Sequence, residues 1–451
     1  MLLEGFARFA TIEWKLFIPV SIGTYRFHFL CLTVAGSKRG ERREVLPAGQ
    51  YDILRYFNFL TPEGKEATFF KTPESFDKET PREILSYALG ATLYMPGTRE
   101  TIAKDILSKK NMGLASTVFC LEDSIGDSEV PFAETNLTNQ VQEIYKALGN
   151  REIEPDDLPL IFIRVRNPEQ ILRLPERMGD SSKIIAGFVF PKFTSEGYRY
   201  FETLKSLNTQ YTGTFYGMPI IESPKAIYLE SRVKELLETK RLLDSYQDLV
   251  LNVRIGATDF SGLFGIRRGP DVTVYDIMVI RDCIADITNI FARVESDYVV
   301  SGPVWEYFAN VERVLKPQLR KSPFEEFHPT KGGNGTKIRS QLLNKYVDGL
   351  IREVILDKEN GIIGKTIIHP SHILPVQSLY TVGHEEYLDA LSIIESDQDQ
   401  RGVIKSHYTN KMNEIKPHYN WARKILLRAK NYGVFHEQHN FISLLTEDVF
   451  I

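Results

Sequence analysis

The sequence predicts an α/β protein, a (β/α)8 TIM barrel with a C-terminal helical lid extension. Two observations carry this. Five apolar stretches in the middle of the chain each end in charge: ASTVFCLED (Glu122, Asp123), LPLIFIRVR (Arg164, Arg166), AGFVFPK (Lys192), GMPIIES (Glu222) and VLNVRIGATD (Asp259). Continuous runs of Val, Ile, Phe and Leu of this length read as strands buried on both faces, the habit of parallel sheets. Charges at the exits of such strands need a shared solvent-filled space, and the mouth of a barrel, where all the C-terminal strand ends converge, is one. The second observation is the alternation of these runs with helical segments, which implies βαβ units and a parallel sheet.

Taken in order, EILSYALG starts as a short helix at Pro81 and ATLYMPG is the first strand. TRETIAKDILSKK follows as a helix, with threonines to cap its start and lysines to suit its C-terminal end. TNLTNQVQEIYKALG is amphipathic, with Leu137, Val141, Ile144 and Leu148 at helical spacing. SEGYRYFETLKSLN follows the AGFVFPK strand, and SPKAIYLESRVKELLETKRLL follows GMPIIE. TVYDIMVIRDCIADITNIFA places Ile277, Ile280, Ile284, Ile287 and Phe291 on a buried face. DYVVSGPVW and GKTIIHPS complete eight strands by Ser371, the number that closes a barrel. HEEYLDALSIIES and KPHYNWARKILLRAKNYG then read as helices, the second with Trp421, Ile425, Leu426 and Ala429 on one apolar face. The polar linker SHYTNKMNEIKPH between them is placed to fold over something.

This gives three regions: an N-terminal extension (1–53), a catalytic barrel (54–380) and a helical lid (381–451). The extension contains an apolar segment interrupted by Lys15, Arg26 and His28, a poor membrane span, and lacks a clean secretory signal. Two readings of it stay open: a start placed too early, with the natural protein beginning near Leu54, or a genuine, weakly ordered extension. The Gly-, Lys- and Pro-rich stretch near 317–340 reads as a flexible insertion. Its GGNGTK lacks the spacing and the preceding strand of a phosphate loop.

A formal net charge of −4 without a long basic block gives no electrostatic case for nucleic acid or an anionic membrane. Cys31, Cys120 and Cys283 are odd in number and far apart, matching neither a disulfide framework nor a zinc pattern. They read as reduced thiols of a cytoplasmic protein.

The strand-end charges suggest chemistry. Glu222 and Asp259, isolated acids at neighbouring strand ends, suit Mg²⁺, a hard ion that keeps several waters and accepts substrate oxygens. Arg164 offers a planar fork for a carboxylate and a fixed charge for a developing oxyanion. Arg166 either shares that strand face or pairs with Glu122 or Asp123. Lys192 either contacts substrate or pairs with a neighbouring acid. His369 reads as a structural histidine at a strand end. A metal with an arginine is what an enolate needs as a C–C bond forms or breaks. The competing explanation is a ring of salt bridges closing the mouth.

LYMPGTRE, FCLEDSIGD, FIRVRN, GFVFPK, PIIESPKA, IGATDF and GKTIIHPSHI, in this order, resemble the citrate lyase β-subunit and malyl-CoA lyase group of the HpcH/HpaI aldolase superfamily. The resemblance spans about Ala91 to Ile394. Within the group the chain is similar to a divergent bacterial branch described as C–C bond lyases of the TIM-barrel fold, associated with tellurium-resistance and stress gene clusters. The resemblance implies Mg²⁺ on Glu222 and Asp259, an acidic pair at Glu122 and Asp123 that supports the metal through water, and a substrate-binding arginine at Arg164. It sets Met412-Asn413-Glu414 on the family's lid motif, with Glu414 as catalytic acid reaching a neighbouring subunit's site in a homo-oligomer, a trimer or hexamer. Two departures matter. Arg166 replaces the family's asparagine and favours a more anionic substrate, with Lys192 as a further contact. GDSEVPFAETN stands where CoA-using relatives carry lysines, which weakens the case for a CoA thioester. The expected activity is a Mg²⁺-dependent lyase or aldolase acting on a 2-oxo acid or acyl substrate through an enolate. The alternatives are a thioester hydrolase on the same scaffold and a catalytically silent metabolite-sensing module of a stress complex.

Overall fold

A computed structural model describes residues 56–308, 345–398 and 402–445, apart from 212 and 297. The N-terminal extension and the 317–340 insertion lie outside the described residues.

The strands are β1 (Phe69–Lys71), β2 (Ala91–Pro96), β3 (Ser116–Cys120), β4 (Leu160–Arg164), β5 (Ile185–Phe190), β6 (Tyr216–Ile221), β7 (Val253–Ile255), β8 (Val300–Trp305), β9 (Lys365–Ile367), β10 (Val403–Lys405), β11 (Met412–Glu414) and β12 (Val434–Phe435). Strands β2 to β9 close in sequence order into a parallel barrel, with Ala91 beside Lys365 and Thr92 beside Thr366 at the seam. Every residue of β3, β4, β5 and β6 is buried. That is the burial on both faces which the unbroken apolar runs demand.

Described helices, in chain order, are α1 (Pro62–Thr68), α2 (Arg82–Leu85), α3 (Ile102–Leu107), α4 (Val130–Gly149), α5 (Glu169–Met178), α6 (Tyr198–Gln210), α7 (Pro224–Ile227), α8 (Arg232–Asp244), α9 (Ala257–Leu263), α10 (Met278–Phe291), α11 (Lys345–Glu359), α12 (Ile373–Tyr380), α13 (His384–Gln398) and α14 (Ile415–Tyr432). On α4, Leu137, Val141 and Ile144 face the core, as their spacing requires. The SPKAIYLESRVKELLETKRLL segment forms two helices, α7 and α8, rather than one.

Helices α13 and α14 pack on each other through Ala390, Ile393, Ala422, Ile425 and Ala429, a cluster separate from the barrel core. Trp421 is 38% exposed, so the apolar face of α14 runs through Ala422 instead. Asn431 Nδ2 donates to Ile84 O (3.2 Å), Tyr432 OH to Tyr87 O (2.8 Å) and Lys424 Nζ to Ala292 O (3.4 Å). All three carbonyls precede barrel strands. Helix α14 therefore docks at the N-terminal end of the barrel, opposite the mouth. The polar linker before it forms a hairpin, with Val403 opposite Glu414 and Lys405 opposite Met412. No helix among the described residues is long and apolar enough to cross a membrane.

Candidate active site

The C-terminal strand ends enclose a cavity of about 410 Å³. Arg164 ends β4 and is only 8% exposed. Its Nη2 meets Glu122 Oε2 at 2.8 Å, Asp123 Oδ2 at 3.0 Å and Glu222 Oε1 at 3.0 Å, while its buried Nε has no partner. Glu122 and Asp123 lie just past the end of β3, after Leu121, and Glu222 follows β6. Lys192, just past β5, completes the cluster: its Nζ donates to Glu122 Oε1 (2.6 Å) and Asp123 Oδ1 (2.9 Å), and its backbone N–H to Glu222 Oε1 (2.8 Å). Asp259, in the first turn of α9, lines the same cavity.

Gly256, between β7 and α9, makes room for Glu222. A Cβ there would lie 2.1 Å from Glu222 Oε2 and 2.4 Å from its Cβ. The glycine of IGATD is thus a steric requirement of the carboxylate opposite.

Burial, offset in part by Arg164 and joined by the charges of the neighbouring Asp259 and Glu122, pushes the Glu222 carboxyl up to about 8. The Asp259 carboxyl is raised by burial and by Asp123. Glu122 is raised by burial and by its contact with Asp123. For Asp123 burial acts upward, but hydrogen bonds from Glu122 and Lys192 and the charge of Arg164 outweigh it and lower the value. Arg164 and Lys192 are both raised, since their acidic neighbours overcome desolvation, and they stay charged.

Four acids (Glu122, Asp123, Glu222, Asp259) thus share the mouth with three cations, Arg164 and Lys192 in contact with them and Arg254 elsewhere in the cavity lining, a formal excess of one negative charge in a half-buried space. Among the described residues no group of three or more His, Cys, Asp or Glu is arranged to hold a metal ion. A divalent ion here would be held by two carboxylates, Glu222 and Asp259, and complete its shell with water or substrate oxygens. Mg²⁺ is commonly bound in that way, and the charge excess fits it.

The structure brings Glu122, Asp123, Arg164, Lys192, Glu222 and Asp259 together. It turns Arg166 elsewhere. Strand β4 stops at Arg164, so the alternation that would put both guanidiniums on one face does not continue. Arg166 donates to Leu121 O (2.6 Å) and Ile125 O (3.2 Å) and pairs with Asp127 (2.5 Å), pinning the loop that carries Glu122 and Asp123. Glu414 sits on the β10–β11 hairpin, and among the described residues none from 381 onward lines the cavity. His369 caps the turn at Pro370 and stacks on Phe308 at 4.4 Å. Cys120 and Cys283 are buried free thiols.

Sequence reasoning missed Tyr94, Arg254 and Thr366, which also line the cavity. Only one signal was available. Arg254 stands between Val253 and Ile255, a charge inside a buried run rather than at its end.

A closed parallel barrel with acids and an arginine converging on its mouth is the architecture of an enzyme whose active site lies at the C-terminal strand ends. The family described as "C-C_Bond_Lyase of the TIM-Barrel fold" matches residues 83–434, and the chain belongs to it. It is a carbon–carbon lyase of that family. No curated protein matches the chain. Among solved structures, a citrate lyase from Burkholderia xenovorans LB400 is 13% identical, with 79% of this chain and 96% of that one covered and a TM-score of 0.49. The CitE protein of Mycobacterium tuberculosis, in complex with magnesium, acetoacetate and coenzyme A, is 16% identical, with coverage of 76% and 99% and a TM-score of 0.45. RipC from Yersinia pestis is 13% identical, with coverage of 66% and 96% and a TM-score of 0.39.

Proposed function

We propose that the chain is a Mg²⁺-dependent lyase that makes or breaks a C–C bond next to the carbonyl of a 2-oxo acid or acyl substrate, through an enolate. The observation that carries this is Arg164 Nη2 in contact with Glu122, Asp123 and Glu222 at one cavity wall, with Asp259 beside them. Glu222 and Asp259 would hold the ion, which when bound supplies positive charge to a developing oxyanion. Arg164 adds a permanent charge that needs no reorganisation, because three carboxylates already fix its position. Its buried Nε–H has no partner and is one donor open to a substrate oxygen. Lys192 neutralises the Glu122–Asp123 pair and holds Glu222 through its backbone.

Glu414 as proton-exchanging acid belongs to the same proposal. It is outside the cavity of its own chain, so this role requires a second copy of the protein.

The test is metal-dependent stabilisation. Mg²⁺ raises the melting temperature of the wild type, and Glu222→Gln or Asp259→Asn removes the rise while leaving the fold intact by circular dichroism. Equal Mg²⁺ stabilisation in both variants would falsify the assignment.

A further inference from the structure

Among the described residues five arginines are deeply buried, and four of them face carboxylates. Arg164 meets its three acids, Arg232 pairs with Asp286, Arg268 with Glu306 and Glu353, and Arg428 with Glu386. Arg254 is the most buried of the five, at 1% exposure, and differs. Its Nη2 donates to Thr366 Oγ1 (2.7 Å), its guanidinium lies 5.7 Å from the Tyr94 ring centroid, and Nε and Nη1 have no partner.

A guanidinium carries five N–H donors and stays charged, so burial without an anion is costly. An orphaned buried polar group in a folded protein calls for an explanation, and an absent ligand is one. Arg254, Thr366 and Tyr94 all line the cavity that holds Arg164, Glu222 and Asp259. Arg254 precedes Gly256 on β7, so it lies deeper in the barrel than the ion-paired cluster. At about 410 Å³ the cavity has room for a small molecule reaching from one group to the other.

We infer that Arg254 receives an oxyanionic group of the substrate, distal to the reacting carbonyl, and so selects substrates with two anionic ends. The carbonyl end faces Arg164, Glu222 and Asp259; the distal carboxylate, or a phosphate-type group of like chemistry, lies against Arg254 and Thr366. This rests on the reading of the mouth as the substrate site.

The experiment uses the full chain with Mg²⁺ and measures thermal stabilisation by three probe series: straight-chain 2-oxo diacids of four to six carbons, the matching 2-oxo monoacids, and 2-oxo acids with a terminal phosphonate. Wild type is expected to bind one diacid or phosphonate about tenfold or more tightly than its matched monoacid, and whichever of the two wins identifies the anion. Arg254→Gln abolishes that preference, leaves the monoacid affinity unchanged, and does not lower the melting temperature of the ligand-free protein. Arg254→Lys keeps part of the preference. A wild type without a preference, including one that binds none of the probes, overturns the inference. So does an Arg254→Gln protein that keeps the preference or is destabilised without ligand, since an arginine serving structure alone would behave that way. Failure of the lyase reading looks different: Glu222→Gln then leaves Mg²⁺-dependent stabilisation intact while the Arg254-dependent preference persists.

Discussion

Lys192 adopts a left-handed backbone conformation, φ 48°, which costs a residue with a Cβ some strain. In that conformation its N–H points at Glu222 Oε1 while its side chain reaches Glu122 and Asp123. One residue thus joins the strand ends of β3, β5 and β6. The acid it holds sets a pH signature. Glu222 titrates near 8 in the folded chain against 4.5 ordinarily, so between these values the folded state keeps a proton that the unfolded chain has released. Stability of the metal-free protein therefore falls as pH rises from about 4.5 through about 8. Glu222→Gln cannot titrate and flattens that decline. Thermal melts in chelator at constant ionic strength compare the two slopes, and identical slopes would show that Glu222 ionises freely.

At the scale of elements, the barrel strands were readable because burial on both faces leaves an unbroken apolar run, and because the charge after each run has only the mouth to occupy. Other elements left weaker traces. Helix α5 carries Pro175 in its interior, a residue that argues against a helix in the sequence. Strands β1 and β12, of three and two residues, pair across most of the chain, and no local pattern announces such a contact. Arg166 misled because alternation holds only while a strand lasts, and β4 ends two residues earlier.

A buried network behind β9 was likewise illegible. Lys365, fully buried, pairs with Glu353 (2.9 Å) and Asp357 (2.8 Å) of α11, while Arg268 also meets Glu353 and Tyr275 OH donates to Asp357. The sequence shows Lys365 as the lysine of GKTIIHP, one more charge near a strand end. Its partners fasten α11 to the barrel wall. Lys365→Met leaves two carboxylates short of a cation in a dry site and is expected to cost about 3–5 kcal/mol of stability. Denaturant unfolding measures this; a loss under about 1 kcal/mol, the scale of a surface pair, would mean that the network is solvated.

For the whole molecule, the eight-strand closure and the C–C lyase family agree with what the ordered motifs implied. The role proposed for the hairpin that carries Glu414 depends on context that a single chain does not supply. With α14 on the N-terminal end of the barrel and Glu414 outside the cavity, catalysis by Glu414 needs a neighbouring copy. If it acts so, mixing Glu414→Gln protomers with Arg164→Ala protomers restores part of the activity that each lacks alone. A fully active Glu414→Gln enzyme removes it from the mechanism.

The central claim is that this mouth stabilises an enolate, and proton exchange tests that without knowledge of the second substrate. In D₂O with Mg²⁺, the wild type should exchange the hydrogens next to the carbonyl of a 2-oxo acid or acyl thioester, followed by proton NMR. Arg164→Lys, which keeps the charge and loses the planar fork, should slow exchange by the equivalent of about 2–4 kcal/mol, and Glu222→Gln should abolish it. Exchange at the same rate in wild type and both variants, or none above the uncatalysed rate with any compound of either class, would contradict the account.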